Sequence, residues 1–227
     1  MRFGRLPHDP VRLAAAHRHT FGTTLPPPVL DRSAYKWQPG LYGNDTLSDC
    51  VVANGIANSI RAKAVLTGAD RYVAEEMVRI CFAILAGNPP DLTSVQGLIV
   101  QDVMDFIGRK GFQTGRETLI GVAGTVDLTP LAMRQTMVEY ATVGLGVQLY
   151  QEDMDAIKRG DPWTGGAPST PLVGGHYVVG WSYDEVGIDK IVTWGMFQPA
   201  TWEWVMSRTD EAHAVAWPQI EHVADAS

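Results

Sequence analysis

The pattern of apolar residues changes character near residue 117, and this restricts the fold more than any other feature. Before that point, apolar side chains recur at helical spacing. Cys50 to Leu66 reads as one helix, with Ser48 or Asp49 as its N-cap and Gly68 as its stop. Further helices are expected over 71–86 and 94–110. In the first, Val73, Met77, Ile80, Cys81 and Ile84 share a face; in the second, Leu98, Val103, Met104 and Ile107 do, and Gly111 ends it. After it, short β-rich runs dominate: Leu119 to Val126, Val143 to Tyr150, Tyr177 to Tyr183 and Ile188 to Trp194. Thr201 to Met206 and His213 to Trp217 add further strand. One helix interrupts them, opened by Thr129-Pro130 and running to about Tyr140. Residues 158–172 read as loop, and a turn is expected at Asp184 to Gly187. Helices first and sheet second is an α+β chain, with an N-terminal helical lobe (about 48–112) and a C-terminal antiparallel β-sheet lobe (about 117–217).

Residues 1–40 stand apart. Pro7, Pro10, Pro26-Pro27-Pro28 and Pro39 break any long helix, so this stretch reads as an extended arm with at most a short helix near Val11 to Arg18. Residues 41–217 form the domain, and 218–227 a tail. With 18 Lys+Arg against 25 Asp+Glu, the net charge of −7 repels phosphate backbones, so no nucleic-acid partner is expected. No apolar run approaches the roughly 20 residues of a membrane helix, and residues 1–10 carry no signal-peptide core, so membrane insertion and secretion are not expected. No metal-ligand spacing or phosphate-cradling glycine loop stands out, and neither metal nor cofactor is expected.

The two cysteines occupy unlike settings. Cys81 sits on an apolar helix face and reads as core. Cys50 opens a helix, where unpaired N–H groups and the positive end of the dipole favour a thiolate. A nucleophilic thiol needs a base from elsewhere in the chain. Among six histidines, only His176 begins an apolar strand, after Gly174-Gly175, two residues that let a substrate backbone approach closely.

This layout resembles the papain-like cysteine peptidases, whose nucleophile starts a long helix and whose histidine starts a strand. Six residues before the thiol, where that family has a glutamine whose amide serves the oxyanion, stands Asn44. The stretch Leu131 to Val147 is similar to the segment preceding the family's histidine strand. The family's third residue is an asparagine in Asn-Ser-Trp-Gly, and here Thr193-Trp194-Gly195 follows seventeen residues after His176. The resemblance implies a papain-like fold over about 35–205, with Cys50, His176, Thr193 and Asn44 as catalytic residues and Gly174, Gly175 and Trp194 against the substrate. It implies a peptide or cell-wall peptide as substrate. In the style of its motifs (Asn-Asp-x-x-x-Asp-Cys, Gly-Gly-His, Thr-Trp-Gly) the chain looks most like proteins of tailed phages and prophages. Bacteriocin-leader peptidases also place an acid before the cysteine, as Asp49 is here. Two expectations follow: a thiol peptidase or amidase, cytoplasmic or phage-borne, or a weakly active or inactive papain-like component of a phage particle whose arm ties it to other virion proteins. The arm reads equally as a propeptide-like segment covering the cleft, though about 40 residues is short for that role. Thr193 leans to the second, because a threonine hydroxyl can accept from the imidazole but has no charge to stabilise an imidazolium.

Overall fold

The computed structural model describes residues 1–19, 21–22, 25–69 and 71–220; most of the expected tail, His222 included, lies outside them. The helical part comprises α1 (Pro10–Ala15), α2 (Cys50–Val52), a π-helical turn (Ala53–Asn58), α3 (Ser59–Thr67), α4 (Glu75–Leu85) and α5 (Val100–Arg109). A small hairpin, β1 (Phe112–Gln113) and β2 (Thr118–Leu119), leads into β3 (Val122–Thr125), α6 (Pro130–Tyr140), β4 (Val143–Tyr150) and α7 (Gln151–Arg159). Then come β5 (Leu172–Ser182), β6 (Gly187–Thr193), β7 (Met196–Thr201), α8 (Trp202–Arg208) and β8 (Thr209–Ala216). Six strands form one antiparallel sheet in the order β3-β8-β4-β5-β6-β7. The α+β architecture with a helical lobe and a sheet lobe is the one expected.

Alternation along β5 divides the core. Tyr177, Val179 and Trp181 point into a cluster with Val52, Ile56 and Phe82 from the helices, while Val178 joins Met133, Trp163 and Trp204 on the opposite face. The cysteine-bearing helix approaches β5 so closely that a Cβ at Gly55 would lie 2.7 Å from the Tyr177 ring. The π turn places Asn54 and Asn58 along this seam. Asn54 Nδ2 donates to the Tyr177 carbonyl at 2.8 Å, and Asn58 exchanges two hydrogen bonds with Gly40. Cys50 and the residue after His176 are thus held to one another through a single short linkage.

Several local expectations hold for the reasons given. Gly68 (φ 68°) and Gly111 (φ 74°) stop their helices in the left-handed region, and the Thr129 side chain caps α6 ahead of Pro130. Others are corrected. Asp49 occupies the N-cap position, but its carboxylate caps nothing and accepts from Asn44 instead. Ile80 and Ile84 are exposed, because α4 is rotated to bury Val78, Cys81 and Phe82. Leu98 precedes α5 in extended backbone. Gln151–Arg159, partly read as loop, is a helix whose Asp153 accepts from Tyr150 N–H and from Trp204 Nε1. Thr201 to Met206, read as strand, is mostly helix α8, capped by the Thr201 hydroxyl. The apolar run there serves a helix that packs Trp204 on Trp163, ring centroids 4.4 Å apart.

The arm is bound along the domain that follows it. His19 N–H donates to Thr125 O, Leu30 N–H to Tyr183 O, and the buried Arg32 guanidinium donates to the carbonyls of Met137 and Trp181. These contacts hold the arm against the domain of its own chain. No helix among the described residues is long and apolar enough to cross a membrane.

Candidate active site

The sheet brings His176, Thr193 and Trp194, three of the residues singled out in the sequence, into contact. His176 lies on β5 opposite Val147 of β4, fully buried. With Val179 opposite Val192, Thr193 on β6 becomes its diagonal neighbour on one sheet face, and His176 Nε2 meets Thr193 Oγ1 at 2.9 Å. The Thr193–Met196 pair is joined by Trp194 (φ 42°) and Gly195 (φ 73°), the two positive-φ residues of a type I′ hairpin turn. Tryptophan is an uncommon choice for that conformation, which costs about 1–2 kcal/mol. Its placement lays the indole flat on the His176 ring, centroids 4.1 Å apart and planes 14° from parallel. Thr193 and Trp194 thus fix the imidazole by one edge and one face, leaving Nδ1 buried with no hydrogen-bond partner.

Cys50, at the start of α2, is also fully buried and carries a free thiol. Burial pushes that thiol up to about 12, and the negative charge of Asp49 adds to the effect. The backbone N–H groups of Tyr177 and Gly4 and the charge of Arg5 act against it without prevailing. Burial drives His176 down to about 3, assisted by Arg5. Both groups are therefore neutral in this arrangement, and the helix-start preference for thiolate is overridden by desolvation.

The chain's own N-terminal residues lie against these groups and share in covering them. Residues 2–6 thread the cleft as an extended strand, bonded to both lobes. Leu98 N–H donates to Gly4 O at 2.8 Å and Leu6 N–H to Leu98 O at 2.9 Å on the helical side; Arg5 N–H donates to Gly175 O at 3.2 Å on the sheet side. The Trp194 indole N–H donates to Arg2 O at 3.1 Å, and Phe3 stands edge-on to both His176 and Trp194. Glycines mark the closest approaches. A Cβ on Gly4 would lie 2.1 Å from Ser48 O, one on Gly97 2.3 Å from Gly4 O, and one on Gly175 2.4 Å from Arg5 O. Gly174 and Gly175 do admit an extended backbone, and here it is residues 3–5. Sequence reasoning did not bring Phe3, Gly4 and Arg5 to the site. Their one signal is Arg5, a cation that matches the acidic pair Asp210-Glu211 some 205 residues away.

Asn44 is buried near the start of α2, and its Nδ2 donates to Asp49 Oδ1 at 3.0 Å. Its own Oδ1 and Asp49 Oδ2 are both buried without a donor. Burial raises the Asp49 carboxyl to about 7, against the hydrogen bond from Asn44, which favours the charged form. The amide keeps a second N–H.

No family model and no curated protein matches this sequence. Solved structures do match. Xylellain, a cysteine protease from Xylella fastidiosa, superposes with a TM-score of 0.69 over 95% of this chain and 96% of its own, at 12% identity. Procathepsin B from Trypanosoma congolense gives 0.64 over 95% and 86%, at 11% identity. A cysteine protease from Carica candamarcensis gives 0.56 over 84% and 99%, at 12% identity. At such identities the likeness is one of architecture, and it extends through both lobes: the chain has the fold of the papain-like cysteine proteases.

Proposed function

We propose that this protein is a thiol peptidase or amidase that cleaves a peptide or amide bond through Cys50 and His176. One observation carries the reading: His176 is held by Thr193 through Nε2 and by Trp194 through its face, so that Nδ1 is left without a partner, on the strand that also lends its Tyr177 N–H to the Cys50 sulfur. In the tautomer with Nε2–H donating to Thr193, Nδ1 is a free base. Once residues 2–6 leave the cleft, the Cys50 thiol gives its proton to Nδ1 and sulfur attacks the substrate carbonyl carbon. The oxyanion lies against the Cys50 backbone N–H and the second N–H of Asn44; losing one such donor costs about 2.7–4 kcal/mol. The C–N bond breaks as the imidazolium returns its proton to the amine, and water, activated by the same nitrogen, hydrolyses the thioester. Gly174, Gly175 and Trp194 line the substrate track that residues 2–6 now occupy. Peptide or cell-wall peptide is the proposed substrate, and a phage or prophage the proposed setting.

A filled cleft with a neutral pair favours a second reading, a papain-like component of a phage particle with little or no catalysis. Incubation with peptide mixtures and cell-wall peptides, followed by mass spectrometry, separates the two. Products made by the parent and absent with Cys50→Ala support the enzyme. Silence from both the parent and a variant whose cleft has been opened at Gly4 leaves the structural reading.

A further inference from the structure

A second cluster lies where the cleft strand meets β8. The bulge between Gly146-Val147 of β4 and Glu211-Thr209 of β8 leaves Asp210 as the extra residue, which turns two adjacent carboxylates toward the arm. Arg5 reaches both: its guanidinium donates to Asp210 Oδ2 at 2.8 Å and to Glu211 Oε1 at 2.7 Å. A Cβ on Gly146 would collide with the Glu211 side chain at 2.5 Å, so that glycine keeps the space for this pairing. Arg5 occupies one oxygen of each carboxylate. The other two, Asp210 Oδ1 and Glu211 Oε2, are buried without a partner, as are His8 Nδ1 and both ring nitrogens of His213.

These unpartnered atoms face one another. His8 Nδ1 lies 4.0 Å from Asp210 Oδ1, and His213 Nε2 lies 3.9 Å from Glu211 Oε2. Both separations are too long for hydrogen bonds. They approach the spacing of two ligands on one ion, since metal–ligand bonds of about 2.0–2.2 Å put tetrahedral neighbours about 3.4 Å apart. One ligand atom from each of His8, Asp210 and Glu211 lies within 4.8 Å of the others. Glu211 itself is almost fully enclosed, with Oε2 unpartnered, so the cluster holds a buried carboxylate oxygen without a donor. Charge agrees: two carboxylates against Arg5 leave one negative charge uncompensated. A pocket of about 280 Å³ lined by His8, Asp210 and Glu211 leads in from solvent.

We propose that His8, Asp210 and Glu211 bind a divalent first-row transition ion of the Zn²⁺ class, and that this ion staples the cleft strand to β8. Imidazole with carboxylate is a donor set that suits such ions. The ion joins a residue of the arm to two of the sheet, only three positions beyond the Arg5 N–H that pairs with Gly175. Its binding stands apart from whether the cleft hydrolyses peptides.

The test titrates the tag-free full chain with Co²⁺ and reads its visible ligand-field absorption. One equivalent binds saturably, Zn²⁺ displaces it, and His8→Ala or the bulkier His8→Gln weakens it more than about tenfold. His17→Ala, which alters the neighbouring His17–His19 pair, leaves the titration unchanged. Absence of saturable absorption, or a His8 variant that binds as tightly as the parent, overturns the site. Hydrogen exchange at the Gly4 to Leu6 amides tests the staple: Zn²⁺ slows it in the parent and not in the His8 variants, and equal exchange with and without ion overturns that half.

Discussion

Cys50 and Cys81 are both buried free thiols, both pushed up to about 12 by desolvation, yet the two values mean different things. Around Cys81 nothing acts against burial; the thiol sits among Val78 and Phe82 on α4 as a small apolar side chain. Around Cys50 two backbone N–H groups and a guanidinium already favour the anion, and burial prevails with a strand of the chain's own N-terminus lying over the sulfur. One thiol is inert by the packing of the core. The other is covered in addition by residues 2–6, a segment from outside its own helix.

The sharpest way to separate them is Gly4→Arg. A side chain there cannot coexist with Ser48 O, so the strand must leave the cleft. Iodoacetamide labelling of Cys50 at pH 7, followed by mass spectrometry, should then rise by about 10²–10³-fold as the thiol returns toward its ordinary range, with Cys81 unchanged. Equal rates in parent and variant would show that the strand does not govern the thiol.

Asp49, beside Cys50, gives the next largest effect. Its carboxyl is raised from 3.8 to about 7, so the native state holds a proton that the unfolded chain has released between those values. Stability therefore falls as pH rises from about 4 to 7, by on the order of 2–4 kcal/mol. Asp49→Asn, which cannot titrate, should flatten that slope in urea titrations. A parent whose stability is level across this range would contradict the raised Asp49 carboxyl.

Thr193→Val removes the partner of His176 Nε2 and should cost about 1–3 kcal/mol by leaving a buried nitrogen unsatisfied. In the Gly4→Arg background it should also slow Cys50 labelling at pH 6, since the imidazole loses its anchor. Smallest of all, Cys81→Ala should cost about 1 kcal/mol and leave Cys50 labelling as it was; a change at Cys50 would mean that the two sites are coupled.

The sequence made visible what local chemistry dictates. Gly68 and Gly111 as helix stops, Thr129-Pro130 as a helix start, and the order of Cys50, His176 and Thr193 need only neighbours and spacing. It hid what depends on distant partners. Asp49 looks like a cap until a buried Asn44 claims its carboxylate. Leu98 fits a helical period, but its N–H and C=O are taken by Gly4 and Leu6. Thr201 to Met206 has strand-like composition, and only the pocket around Trp163 and Asp153 selects the helix. The strand in the cleft is the extreme case, because a Pro-rich arm carries no periodicity from which its destination can be read.

The bond between Arg5 and Glu211 spans 206 positions of chain. Residues 2–6 leave the ribosome well before the β4, β5 and β8 strands that will hold them, so they wait while both walls of the cleft are made. The strand's hydrogen bonds go to Leu98 on one wall and to Gly175 on the other, so its docking site does not exist until both walls are in place.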